Sequence, residues 1–260
     1  MRRAQAQRTI QAQRTVNDAS YNLNCSDRSP SVPHPPDLLP TPSAKSVRQG
    51  RQSFFMDAQG RHLPSVTTIL NATKPREARE ALANWRQRVG PAEAQKISGN
   101  ASRRGTQTHR QLRRHLLGED HPCPESALPY WESLQPVLND LQAVRLVEST
   151  VFHYDIGYAG KVDCVASYRG IPCVLDWKTS DRPKGSIDRL YDAPLQLAAY
   201  CGAVNHTYES YGVKLDQAAI VVAVPEQEAE VFELSPDLMA HYWQQWLQRV
   251  REYYNRRLRE

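Results

Sequence analysis

Nothing in the 260 residues approaches the run of roughly 20 consecutive apolar side chains that a membrane-spanning helix requires. No basic stretch followed by an apolar one opens the sequence, so neither an integral membrane protein nor a secreted one is expected. The five cysteines, Cys25, Cys123, Cys164, Cys173 and Cys201, are odd in number and far apart, with no C-x-x-C pair. That spacing argues against a disulfide framework, a zinc ribbon and a cysteine-ligated iron–sulfur cluster, and suits a reducing compartment. A one-signed charge is also missing from most of the chain. The net charge is +5, but residues 1–52 hold eight Lys/Arg against three Asp/Glu, whereas residues 53–260 hold 25 of each sign. The folded part therefore has no overall basic field, and a polyanion would have to be gripped by a local patch.

Residues 1–52 read as a disordered, basic, Pro/Ser-rich tail. QAQRT occurs twice, at Gln5–Thr9 and Gln11–Thr15, and prolines and serines crowd Ser29–Ser43 without any apolar period. Arg2, Arg3, Arg8 and Arg14, with no acid nearby, have the composition of a mitochondrial transit segment but no amphipathic face. A solvated tail on a prokaryotic cytoplasmic protein is the expectation, and the mitochondrial matrix is the alternative. Order is expected from Phe54, with residues 53–260 forming one domain. Ser65 is placed to cap a helix, and helical spacing recurs over 78–89 and 101–117, where Gly118 ends it. A proline-rich loop leads to a helix over 131–141. Strands are expected over 144–154, 158–168 and 171–177, with Arg169-Gly170 as a tight hairpin turn. A helix over 190–203, an apolar strand over 218–224, its partner over 228–234 and an amphipathic helix from Pro236 complete an α/β fold. Its core is a mixed β-sheet flanked by helices.

The residues that carry chemistry are Gly160-Lys161-Val162-Asp163 and Val174-Leu175-Asp176-Trp177-Lys178-Thr179. Strand side chains alternate, so Asp176 and Lys178 share a face, and counting back through the hairpin brings Asp163 across from Asp176. Two carboxylates on apolar neighbouring strands repel each other, and a divalent cation resolves that conflict. Hard oxygen ligands favour Mg²⁺ or Mn²⁺ over zinc. Lys178 is then free to deprotonate a water or to steady a charged transition state. A bare D-x-K is more often a surface ion pair, so its surroundings decide. Arg103, Arg104, Arg110, Arg113 and Arg114 crowd one helix and would face phosphate near His109, although such clusters are commonly a solvated face. Tyr154, Tyr158 and Tyr191 flank the motifs and could stack on unpaired bases, with packing the simpler role for any one of them. Trp243, Trp246, Leu247, Val250 and Tyr254 form a helical stripe read as core.

Those surroundings resemble the PD-(D/E)xK nucleases of the RecB-like branch, and most nearly the mitochondrial genome maintenance exonuclease group, over about residues 61–250. The matching segments are Leu63–Thr67, Gly105–His109, Glu148-Ser149, Gly160–Cys164, Asp176–Ser180, Pro194–Tyr200 and Tyr242–Leu247. The resemblance implies a restriction-endonuclease-like fold. It makes Asp163 and Asp176 the metal-binding acids and Lys178 the catalytic lysine, with His109, Glu148 and the Trp177 carbonyl as further metal ligands. Gln196 and Tyr200 match the branch's Q-x-x-x-Y motif, which implies a role near the DNA backbone, together with Thr179, Arg104, Arg110 and Arg113. On their own, His109 beside Leu112 and Leu116 reads equally as the edge of a core, and Glu148 as a half-exposed strand acid. The implied activity is a Mg²⁺- or Mn²⁺-dependent DNA exonuclease acting on single-stranded ends in repair, replication or genome maintenance. Ends would thread through an arch to which helices around 78–117 could contribute. A flap endonuclease of the same fold and an inactive DNA-binding module are the alternatives. A monomer that engages single-stranded DNA and no membrane is expected.

Overall fold

The computed structural model describes residues 37–50 and 52–259. A five-stranded sheet has the order β4 (Leu141–His153), β5 (Tyr158–Tyr168), β6 (Ile171–Thr179), β7 (Ala218–Ala223), β8 (Glu230–Leu234). The β6–β7 pair is parallel and the others antiparallel, so the sheet is mixed as expected. Parallel neighbours need a crossover, and α5 (Ala193–Thr207) supplies it. Ten of its fifteen residues are buried, which fits a helix apolar on all sides and covered on all sides. With α1 (Val66–Ala72) and α6 (Pro236–Arg257) it covers one sheet face. The other face is covered by α4 (Leu128–Asn139) and the C-terminal half of α3 (Pro91–Leu116). Ser65 caps α1 by accepting the Thr68 N–H, and Arg169-Gly170 turns the hairpin with Tyr168 opposite Ile171, both as expected.

Two boundaries differ from expectation by more than a turn or two. Regular structure begins at Ala44, inside the segment read as a disordered tail. There, β1 (Ala44–Gln49) pairs with β2 (Gln52–Asp57), which pairs with β3 (His62–Pro64). Upstream, Leu39 is buried and donates its N–H to the Arg145 carbonyl on β4 at 2.9 Å, and Pro40 accepts from the Tyr208 hydroxyl. β1 is largely exposed, so its polar sequence carries no apolar alternation to betray it. Residues 1–36, with the QAQRT duplication, lie outside the described residues. The second difference is α3, which starts ten residues earlier than the spacing suggests. Its first half buries only Ala94 and so needs no apolar stripe. It carries α2 (Arg76–Val89), a helix with no buried residue.

Candidate active site

β5 and β6 are paired from Tyr168/Ile171 to Cys164/Leu175 and then part, while β5 stays paired to β4 and β6 to β7. Asp163 and Asp176 face each other at the first unpaired step. The Asp163 carboxylate takes the place of the missing ladder partner, accepting the Trp177 N–H at 3.0 Å. The site occupies this parting. Glu148 reaches it from β4 with φ +49, a left-handed conformation that costs a non-glycine residue about 1–3 kcal/mol. His109 reaches it from α3. Among the described residues, donor atoms of His109, Glu148 and Asp163 lie within 4.8 Å of one another.

Charge in the parting is tightly matched. His109 Nε2 lies 2.9 Å from the Trp177 carbonyl, which can only accept, so that nitrogen carries a proton. Nδ1 faces Glu148 Oε1 at 3.3 Å and Asp163 Oδ1 at 3.8 Å. Burial alone would lower the imidazole pKa, but the Glu148 bond and the nearby Asp163 charge outweigh it and raise it to about 9. Burial pushes Glu148 up, while its bonds to His109 and Lys161 more than offset this and leave it below its usual value. Asp163 is held up by burial and by the neighbouring Asp176 carboxylate. Lys178 is raised: burial opposes its charge, but Asp176 and Asp163 favour it more. Its Nζ is 2.5 Å from Asp176 Oδ2, a close ion pair on the same strand face. Lys178 also donates to Gln196 Oε1 at 3.3 Å.

This donor set fits a hard divalent cation: the carboxylate oxygens of Glu148 and Asp163 and one imidazole nitrogen, close together and half-buried. For His109 to serve as a ligand it must give up a proton.

The structure brings His109, Glu148 and Asp163 together and places the other expected site residues around them. Asp176 is outside that three-residue group. At 1% exposure its carboxylate is turned to the nearest counter-charge, Lys178. The Trp177 carbonyl, expected to be open to a metal, is engaged by His109. Arg104, expected on DNA, bonds Asp181 at 2.8 Å and lies over the Tyr130 ring, whose hydroxyl also donates to Asp181. Tyr200, expected beside the DNA backbone, is 5% exposed and packs inside α5's core face, where no strand can reach it. Gln196 is half-buried between Tyr200 and Lys178 and bonds both. A Cβ added at Gly105 would meet only Thr179 Oγ1 at 3.8 Å, an ordinary contact.

Arg110 and Arg113 are exposed and line a cavity of about 540 Å³ together with Gly105, Thr106, His109, Glu148 and Asp163. Thr179 is half-buried at the end of β6 beside Gly105. A larger cavity of about 790 Å³, lined by His153, His206 and Trp243 among others, includes none of these groups. Of the three flanking tyrosines, Tyr158 is fully buried, whereas Tyr191 is 84% exposed with φ +53. Lys161 is a site residue to which sequence reading assigned no role. Its place two residues before Asp163, with an ammonium reach matching a glutamate on the next strand, was the available signal.

Residues 72–260 match the PD-(D/E)XK nuclease superfamily. The chain is 41% identical over 199 residues to mitochondrial genome maintenance exonuclease 1 of Xenopus tropicalis, covering 74% of this chain and 57% of that protein. It is 36% identical over 200 residues to the Homo sapiens protein of that name, covering 74% and 58%. The chain thus spans less than two thirds of the length of these relatives. A crystal structure of a putative exonuclease from Eubacterium rectale is similar over 64% of this chain and 71% of that one, at 17% identity and a TM-score of 0.41. With a match running over residues 72–260, the chain belongs to the PD-(D/E)XK nuclease superfamily.

Proposed function

We propose that this protein is a divalent-metal-dependent deoxyribonuclease that acts as an exonuclease on single-stranded DNA ends in genome maintenance. The observation that carries this reading is the parting of β5 from β6, which sets Asp163, Glu148 and His109 within 4.8 Å of one another beside a charged lysine. Asp163, Glu148 and His109 would hold Mg²⁺ or Mn²⁺, with Asp176 next to them. When bound, the cation supplies Lewis acidity, making water a stronger nucleophile and offsetting phosphate charge. Lys178 has its pKa raised and so is an ammonium at neutral pH. Of its two expected roles, donating to the charge that develops on the scissile phosphate fits better than removing a proton. Arg110 and Arg113 would take neighbouring phosphates along their cavity.

Two features support single strands over duplex. Tyr191 lies on the connector from Lys178 to Gln196 and offers an exposed ring to an unpaired base. α2 buries nothing and packs chiefly on α3, the helix that brings His109, so the pair forms an exposed hairpin around which an end could pass. The full chain with Mg²⁺ is expected to degrade linear single strands and to spare circular ones and blunt duplexes, with EDTA abolishing the reaction. Equal degradation of circular single strands would make the enzyme an endonuclease. Tyr191→Ala is expected to weaken single-strand binding about five- to a hundredfold, the range for one stacked base, with Tyr191→Trp retaining it. Fluorescence anisotropy in EDTA reads this without turnover, and unchanged affinity would remove Tyr191 from the substrate path. The relatives' names favour mitochondria over the prokaryotic cytoplasm, and imaging of the tagged protein tests that.

A further inference from the structure

The Q-x-x-x-Y pair makes its hydrogen bonds within the site. Gln196 and Tyr200 lie one turn apart on α5, and the Gln196 Nε2 donates to the Tyr200 hydroxyl at 2.8 Å. A side-chain amide has one donor end and one acceptor end. With Nε2 committed to Tyr200, the acceptor Oε1 is the end presented to Lys178, whose Nζ donates to it at 3.3 Å. The reversed amide would set N–H against an ammonium, donor against donor. Tyr200 itself is fixed: its ring packs so closely on β5 that a Cβ at Gly160 would fall 2.5 Å from it. Burial keeps its hydroxyl protonated.

The geometry points to Gln196 and Tyr200 as positioning residues for Lys178, a relay from the buried core to the ammonium and not a contact to the substrate. Lys178 is held from two sides, by Asp176 Oδ2 at 2.5 Å within its own strand and by Gln196 Oε1 from across the site. Gln196 fixes the ammonium from the α5 side and Tyr200 fixes Gln196. This relay rests on the nuclease reading of the site for its catalytic consequence, but not for its geometry, and the two are tested separately.

The Lys178 side chain is 34% exposed, so a water-soluble amine-acylating reagent reaches it, and peptide mass spectrometry can follow its labelling against exposed Lys214. Tyr200→Phe keeps the ring and removes the hydroxyl. It is expected to speed Lys178 labelling severalfold in the metal-free protein. It should also slow single-turnover cleavage about tenfold, with DNA affinity unchanged within about twofold. Gln196→Met, at a half-buried position, is expected to behave likewise. Gln196→Glu, which accepts from both the ammonium and the tyrosine hydroxyl, should restore protection of Lys178; a DNA-phosphate contact at that position would instead be lost to repulsion. Unchanged Lys178 labelling in Tyr200→Phe overturns the relay, as does faster labelling without slower cleavage, or a loss confined to DNA affinity. If the wild-type protein fails to cleave DNA at all, the nuclease reading falls, while the labelling experiment still decides the relay.

Discussion

Asp163→Asn is expected to lower the cleavage rate by roughly a thousandfold while making the cation-free protein more, not less, resistant to heat at pH 8. Asparagine keeps the shape and can still accept the Trp177 N–H, so the parting of the strands is preserved. What it loses is the anionic oxygen that faces His109 and Glu148. The stability effect has the opposite sign because the carboxylate is held against its preference. Its pKa is raised from 3.8 to about 7, first by burial and then by Asp176. A raised folded-state pKa means that the group favours the fold fully only below its unfolded value. That benefit is lost as pH rises through the folded value, so at pH 8 the ionised acid works against the fold. Asparagine has no charge to lose. Mg²⁺ should raise the melting temperature of the wild type by mass action and do little for the variant. Calorimetry at pH 8 with and without Mg²⁺, beside single-turnover cleavage, checks all of this. A variant that cleaves normally would remove Asp163 from the site, and one that melts lower than wild type would mean that its charge is stabilising.

Gly160→Ala is expected to cost about 1–3 kcal/mol of stability, as overpacking of a filled core does. For a domain of this size that lowers the melting temperature by roughly 2–12 °C. The added methyl would sit 2.5 and 2.8 Å from ring carbons of Tyr200 and 3.3 Å from Val66 Cγ2. None of these can yield cheaply: Tyr200 is enclosed in the core and Val66 begins α1 at 1% exposure. Relief would come by pushing the ring, and with it the hydroxyl that holds Gln196, so cleavage should fall more than the lost stability explains. Thermal melts and cleavage rates at 20 °C, where the variant remains folded, separate the two effects. A variant as stable as the wild type would show that the ring has room.

The sequence made the hairpin legible because a two-residue turn fixes register, and a period of two then places every partner. Asp163 falls opposite Asp176 by counting alone. The same counting cannot see that the ladder stops one step short of that pair, since the stop depends on where β5 is drawn by β4 and β6 by β7. Glu148's left-handed backbone is equally silent in a chain of ordinary residue types. Arg104 looks like its helix neighbours Arg110 and Arg113, and only its contact with Asp181, far along the chain, sets it apart from the two that line the cavity. Motif spacing put Gln196 and Tyr200 on one face of a helix. Whether that face looked outward or inward was undecidable for a helix as uniformly apolar as α5.

The strip from Asp37 to Thr41 lies outside the superfamily match, yet it runs along the outer margin of β4. Leu39 bonds to Arg145 there, Asp37 pairs with the Arg145 side chain, and Thr41 meets Ser149. A bare outer strand offers unpaired amides and carbonyls to any passing chain and invites fibrous self-assembly. Here a short stretch of otherwise unremarkable sequence acts as a selvedge, keeping the fabric of the sheet from being sewn to a neighbour. Trimming the molecule to its recognisable family core would therefore unpick that hem.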